Sequence, residues 1–254
     1  MIIRTEEELK GMQEISEIVA LTLAKMRAFT EVGMTTKEID EYGGKLLKKF
    51  GARSAPYESY QFPGYTCICV NNEVAHGVPN KKRKLQEGDL INIDVSGEKN
   101  GFWSDNGGSF ILGEDIHDHK PLVQASKDIL KEAIYAIRGG VKINEIGRII
   151  ETGAKKRKYK VIKNLAGHGV GRSLHEPPED ILNYRDRFNR DRFKKDSVVA
   201  IETFISTQST VAVEKSDGWT LVGNKGGFVT QHEHTIVVTD KEPIILTAKN
   251  GVWD

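Results

Sequence analysis

IDVSGEKNGFWSD, residues 93–105, is the stretch whose reading decides the fold. Two β-rich runs flank a turn, and each carries one aspartate, Asp94 and Asp105. With Lys99 and Asn100 at the centre of that turn, a hairpin places the two acids opposite one another. Like charges facing across a ladder are destabilising, so the pair calls for a compensating cation. Asp94 lies between Ile93 and Val95, where an unpaired charge is costly. For one acid taken alone, a solvated place on an edge strand is the commoner outcome.

Working outward, Thr5 and Glu8 form a capping-box pattern, and Leu9, Met12, Ile15, Val19, Leu23 and Met26 recur at helical spacing, which predicts a helix to about Thr30. Thr35 and Glu38 repeat the signal, Ile39, Leu46 and Leu47 supply an apolar stripe, and Gly51 stands where a second helix would end. Strand-like runs follow at Thr66 to Val70, Leu90 to Val95 and Gly101 to Leu112. Helical patterns return at Leu122 to Ile137 and Asn144 to Lys156, and strand-like runs resume near Val161, Val198, Thr210, Trp219, Phe228 and Ile236. Helices then strands, twice, with no Ser- or Pro-rich linker, predict a single α+β domain over residues 1–254, with similar halves of about 1–112 and 113–254. Leu90 to Asp94 and Val198 to Glu202 are both apolar runs ending in an acid, while Asp105 and Glu233 both enter β-rich runs. No clearer internal repeat is visible.

The chain has 37 Lys and Arg against 36 Asp and Glu, a net charge of +1, so its overall balance demands no polyanionic partner; nucleic acid and membrane surfaces rank low. A composition 38% hydrophobic and 29% charged is that of a soluble globular protein. Apolar runs such as Val198 to Ile201 fall far short of the roughly 20 residues a spanning helix needs. Arg4 and three glutamates occupy the first ten residues, where a secretory signal would need a basic region and an apolar core, so the expected compartment is the cytoplasm. Cys67 and Cys69 would share one face of a strand, which argues against a disulfide between them and against a cysteine zinc site.

Glu202 in VVAIETF and Glu233 in QHEHTIVV repeat the question posed by Asp94, an acid at the end of an apolar strand. His168 in GHGVG, His175 in LHEPP and His76 in NNEVAHGVP sit on Gly-rich or loop segments where a backbone can approach a ligand closely. GHGVG matches neither the dinucleotide nor the P-loop pattern, and neither His175-Glu176 nor His232-Glu233 continues into HExxH. His117 and His119 lie in a charged loop and read as solvated. Four carboxylates with one imidazole make an oxygen-rich site for two divalent cations. Two such ions about 3.5–4 Å apart can acidify a shared water, so metal-assisted hydrolysis is the chemistry that suits this set.

These motifs, with DGWTL, occur in the order and approximate spacing of a known family, and the sequence closely resembles the type I methionine aminopeptidases over nearly its whole length. The resemblance implies a pseudo-twofold pita-bread fold, an antiparallel sheet covered by helices. It implies that Asp94, Asp105, His168, Glu202 and Glu233 bind two divalent ions (Mn, Fe, Co or Zn), with Asp105 and Glu233 bridging. It makes Glu202 also the acid–base group, His175 the stabiliser of the tetrahedral intermediate and His76 a contact of the scissile amide. The methionine pocket would comprise Phe62, Cys67, Leu174 and Trp219, with Ser59 or Tyr60 beside them. Implied partners are nascent polypeptides bearing N-terminal methionine before a small second residue, met at the ribosome by a monomer that needs neither nucleic acid nor membrane. Thr203 stands where the family usually has proline and Asn106 where it usually has threonine, and His232 is a further variation. Competing readings are a non-catalytic binding protein of the same fold, against which the complete ligand set counts, and a proline-specific peptidase, whose kind generally carries an extra N-terminal domain.

Overall fold

The structure, a computed structural model, describes residues 1–253. Helix α1 (Glu6–Phe29) starts where the Thr5 hydroxyl accepts a hydrogen bond from Glu8 N at 3.2 Å. The expected reciprocal bond does not form, because the Glu8 carboxylate accepts from Arg4 N instead, at 2.7 Å. Both halves of the box form at α2 (Thr36–Lys49), where Glu38 Oε2 accepts from Thr35 N at 2.7 Å. The first half continues through β1 (Arg53–Ser54), α3 (Ala55–Tyr60), β2 (Cys67–Val70), β3 (Glu73–Ala75) and the long strands β4 (Leu90–Lys99) and β5 (Phe102–Ile111). The second begins again with two helices, α4 (Lys120–Tyr135) and α5 (Ile143–Lys156). Strands β6 (Lys160–Val161), β7 (Ala166–Gly169), β8 (Glu176–Leu182), β9 (Val198–Ser206), β10 (Ala212–Glu214), β11 (Leu221–Gly223), β12 (Val229–Val237) and β13 (Ile244–Ile245) follow.

β4 is the spine of one antiparallel sheet, with β5 along one side and β1 and β2 on the other. β9 is the spine of a second, ordered β13-β12-β9-β7-β8, with β6 also on β9. A small sheet, β10-β11-β3, joins strands of both halves. Strict alternation decides what each face meets. Ile91, Ile93 and Val95 of β4 enter a core with Met12, Ile15 and Val19 of α1, while Val199, Ile201 and Ile205 of β9 enter a second core with Ile129 of α4 and Ile146 of α5. The intervening Asp94 and Glu202 therefore face away from the helices.

Three expectations need correction. The hairpin turns one residue later than Lys99-Asn100: Lys99 pairs Phe102, and Asn100 (φ 53°) and Gly101 (φ 78°) form the turn. Both central residues have positive φ, which an Asn-Gly pair tolerates and which matches the twist of the flanking strands. Asp94 consequently lies opposite Gly107, and Asp105 opposite Ser96, so the aspartates are diagonal neighbours on one face. The acids also sit mid-strand, because polar residues such as Ser96 and Thr203 extend the ladders beyond the apolar runs. His119 departs from its reading as solvated: it stands at the N-cap position of α4, is buried, and packs at a tilt of 45° against Phe228, with ring centroids 3.9 Å apart. His117 is exposed.

β5 and β12 run side by side without pairing in a backbone ladder. Side-chain hydroxyls close the seam: Thr235 Oγ1 donates to Asp105 O at 2.7 Å and accepts from Asp105 N at 3.1 Å. Ser109 Oγ likewise donates to Gln231 O and accepts from Gln231 N, both at 3.0 Å. The two halves thus meet along the strands that carry Asp105 and Glu233. No helix among the described residues is long and apolar enough to cross a membrane.

Candidate active site

The unhelical faces of β4, β5, β9 and β12 enclose a cavity of about 380 Å³. Asp94, Asp105, Glu202 and Glu233 line it from these four strands, and His168 lines it from β7. Glu202 and Glu233 are directly opposite in the β9–β12 ladder, and His168 pairs with Ala200, two residues before Glu202. Gly167 has to be small, since a Cβ there would meet Ala200 O at 2.5 Å; this close approach seats β7 on β9 and brings His168 in.

Four carboxylates share this low-dielectric space. Burial raises the proton affinity of all four; Asp94 and Glu202 are raised further by the Asp105 charge, and Glu233 by Asp105 and Glu202. Asp105 Oδ1 and Glu233 Oε1 are buried with no hydrogen-bond partner. His168 is 3% exposed, and burial depresses its imidazole to about 3, so it is neutral at pH 7. Its Nδ1 lies 3.0 Å from Gly169 O; a carbonyl only accepts, so the proton rests on Nδ1. That leaves the Nε2 lone pair facing Asp105 Oδ2 at 3.9 Å. Donor atoms of Asp105, His168 and Glu233 lie within 4.8 Å of one another and could hold a metal ion. Excess negative charge, two orphaned carboxylate oxygens and a neutral imidazole with its outer nitrogen tied to a carbonyl all fit divalent cations.

Gln231 is the residue the sequence reading passed over. Its Nε2 donates to Glu233 Oε2 at 3.0 Å, and the same amide opposes the rise in proton affinity that burial imposes on Glu233 and Glu202. Its Oε1 accepts from Asn92 Nδ2 at 2.8 Å. A neutral amide announces no chemistry, but its place two residues before Glu233 on a strand puts it on the same face.

The mouth is built from loops and the end of α3. His175 Nδ1 lies 2.6 Å from the Tyr60 hydroxyl, and the His168 and His175 ring centroids are 4.1 Å apart. Burial and the Asp105 charge raise the Tyr60 phenol, so it stays protonated and donates; the neutral His175 ring then carries its proton on Nε2. Burial, with neighbouring His76, lowers His175. His76 follows β3 at φ 53° and is lowered by burial alone. Phe62, Cys67, Leu174 and Trp219 line the apolar end, with Phe62 and Trp219 edge to face at 5.3 Å. Of Ser59 and Tyr60, only Tyr60 lines the cavity. Asn106, Thr203 and His232 do not: each is one residue from a carboxylate and points to the opposite face. There Thr203 Oγ1 donates to His232 O at 3.4 Å, His232 Nδ1 meets Ser126 Oγ at 2.9 Å, and Asn106 Nδ2 donates to Val95 O at 2.9 Å.

Residues 10–240 match the family model described as metallopeptidase family M24. The chain is 46% identical over 247 residues to methionine aminopeptidase 2 of Bacillus subtilis, covering 97% of this chain and 99% of that protein. The crystal structure of methionine aminopeptidase from Thermotoga maritima superposes with a TM-score of 0.91 at 33% identity, covering 97% of this chain and 99% of that one. The Rickettsia prowazekii enzyme of the same name gives 0.91 at 31% identity, over 97% and 100%. Fold, buried carboxylate–imidazole group and these likenesses agree: the chain belongs to metallopeptidase family M24, and within it to the methionine aminopeptidases.

Proposed function

We propose that the protein is a metal-dependent aminopeptidase that releases the N-terminal methionine of new polypeptides, with a preference for a small second residue. One observation carries the reading: every residue the sequence pointed to as ligand or acid–base group lines the same cavity as the pocket residues Phe62, Cys67, Leu174 and Trp219. Asp94, Asp105, His168, Glu202 and Glu233 are the proposed ligands of two divalent ions, drawn from Mn, Fe, Co and Zn. When bound, such ions polarise a carbonyl and lower the pKa of water.

The chain's own groups supply the rest. The apolar end of the cavity, lined by Phe62, Cys67, Leu174 and Trp219, accepts a flexible thioether side chain by apolar contact. Glu202 has the raised proton affinity of a group that takes a proton from attacking water and returns it to the leaving amine. His175, held by Tyr60 with its proton on Nε2, offers a neutral donor to the developing oxyanion. His76, which also lines the cavity, is the group we assign to contact the scissile amide. We infer further that residues 1–254 act as one domain of two similar halves, as a monomer in the cytoplasm, on chains emerging from the ribosome.

The test is methionine release from Met-Ala-Ser by metal-stripped protein titrated with each of the four metals, alongside metal analysis. Release only with metal, at two ions per chain, is expected. Glu202→Ala and Asp105→Ala should lower the rate at least about a hundredfold while circular dichroism is unchanged. Metal-independent release, or full activity in both variants, would overturn the assignment.

A further inference from the structure

A net charge of +1 averages over an uneven surface. Residues 184–195 read YRDRFNRDRFKK, six cations against two aspartates, between β8 and β9. With Lys142 they frame an open groove of about 660 Å³, lined by Lys142, Arg185, Arg187, Arg190 and Arg192. Asn144 and Asn189 complete the lining, and no carboxylate takes part. Arg185 is shared with Glu145 at 3.2 Å on the flank, but Arg187 and Arg190 make no ion pair or hydrogen bond among the described residues. Phe188, between them, is 92% exposed, the most open large apolar side chain described.

The segment is ordered rather than loosely displayed. Asn144 Nδ2 donates to Asp186 O at 3.1 Å and Asn189 O at 2.7 Å, tying both ends of the tip to α5. Asp186 Oδ1 accepts from Phe188 N at 2.9 Å, and Asn189 Oδ1 from Asp191 N at 2.9 Å. Backbone bonds from Ile143 N to Asp191 O and from Phe193 N to Val141 O, both 2.9 Å, fix the base. The Asp186 carboxylate is thereby turned to the loop's own backbone. Holding five cations round one groove costs mutual repulsion, which an anionic ligand would relieve.

The chemistry of that ligand follows from the side chains. Guanidinium forks, four of them beside a single lysine, match phosphate oxygens two at a time and stack on flat rings. An exposed phenylalanine flanked by arginines offers a platform for an unpaired base. Four guanidiniums spread round one groove suit a polymer that carries several phosphates better than a single small anion. We propose that residues 184–192 and Lys142 form a docking surface for single-stranded RNA, with phosphates on the arginines and a base on Phe188. None of these residues lines the catalytic cavity, so the surface and the peptidase reading stand or fall separately.

The test is fluorescence anisotropy of a labelled 12-nucleotide single-stranded RNA with the full-length protein, in KCl from 50 to 200 mM. Saturable binding is expected, with affinity falling on a log–log salt slope of about −3, near −0.7 per neutralised phosphate. Arg187→Gln with Arg190→Gln should shrink that slope by about 1.4, and Phe188→Ala should weaken binding at least about fivefold at every salt. Methionine release from Met-Ala-Ser, unchanged in all variants, would confirm that they fold. No binding at 50 mM KCl, or equal binding by the double variant, would overturn the proposal. Displacement of the RNA by poly-glutamate at equal charge would also overturn it, in favour of an acidic polypeptide.

Discussion

Gly107 lies directly opposite Asp94, and a Cβ at this position would meet Gln231 Oε1 at 2.1 Å. The missing side chain is what lets Gln231 reach Glu233. Gly107→Ala should therefore push the amide aside and free a proposed ligand to rotate, lowering metal affinity roughly 10- to 100-fold. Calorimetric titration of stripped protein reads this directly; unchanged affinity would show that Gln231 does not orient Glu233. The acids were legible in the sequence because a charge among β-branched residues is conspicuous, as at Asp94 between Ile93 and Val95. Gln231 and Tyr60 were harder to see, since their roles depend on which side chain lies across a strand or a loop.

At the scale of elements, the Asn100-Gly101 turn sets the register that brings Asp94 and Asp105 onto one face as diagonal neighbours. Gly101 has φ 78°, and nothing lies within 4 Å of where its Cβ would be, so Gly101→Ala tests backbone conformation alone. The expected loss is about 1–2 kcal/mol in urea unfolding, with the slope on denaturant unchanged. No loss would mean that the turn relaxes to another type. The helices and the long strands were readable from periodicity and caps. The hairpin turns one residue beyond the point of symmetry between the aspartates, because Asn-Gly is the stronger local signal. The acids' mid-strand places were not readable, because the polar second halves of the strands look like loop until the opposite sheet face is known to line a cavity.

Across the whole molecule, His168, His232 and His234 are buried imidazoles, each depressed to about 3 mainly by burial. The unfolded chain takes up these protons near 6.5, before the folded one does, so their stabilising contribution is complete above that pH and is lost as pH falls toward 3. His234 packs on Trp253 near the end of the chain, with ring centroids 4.4 Å apart. In urea unfolding at pH 7, 6 and 5, the stability gap between wild type and His234→Gln should narrow by about 1.4 kcal/mol per unit below pH 6. A gap that does not vary with pH would mean that His234 takes up its proton alike in the folded and unfolded chain. The seam between β5 and β12 carries a different kind of consequence. It is closed by side-chain bonds of Thr235, Ser109, His232 and Asn92 rather than by a ladder, so it can part by trading those bonds for water while both sheets stay whole. Asp105 and Glu233 would separate in that motion. Exchange of bound ions with solution would then follow the clock of a local opening, far faster than the protein unfolds.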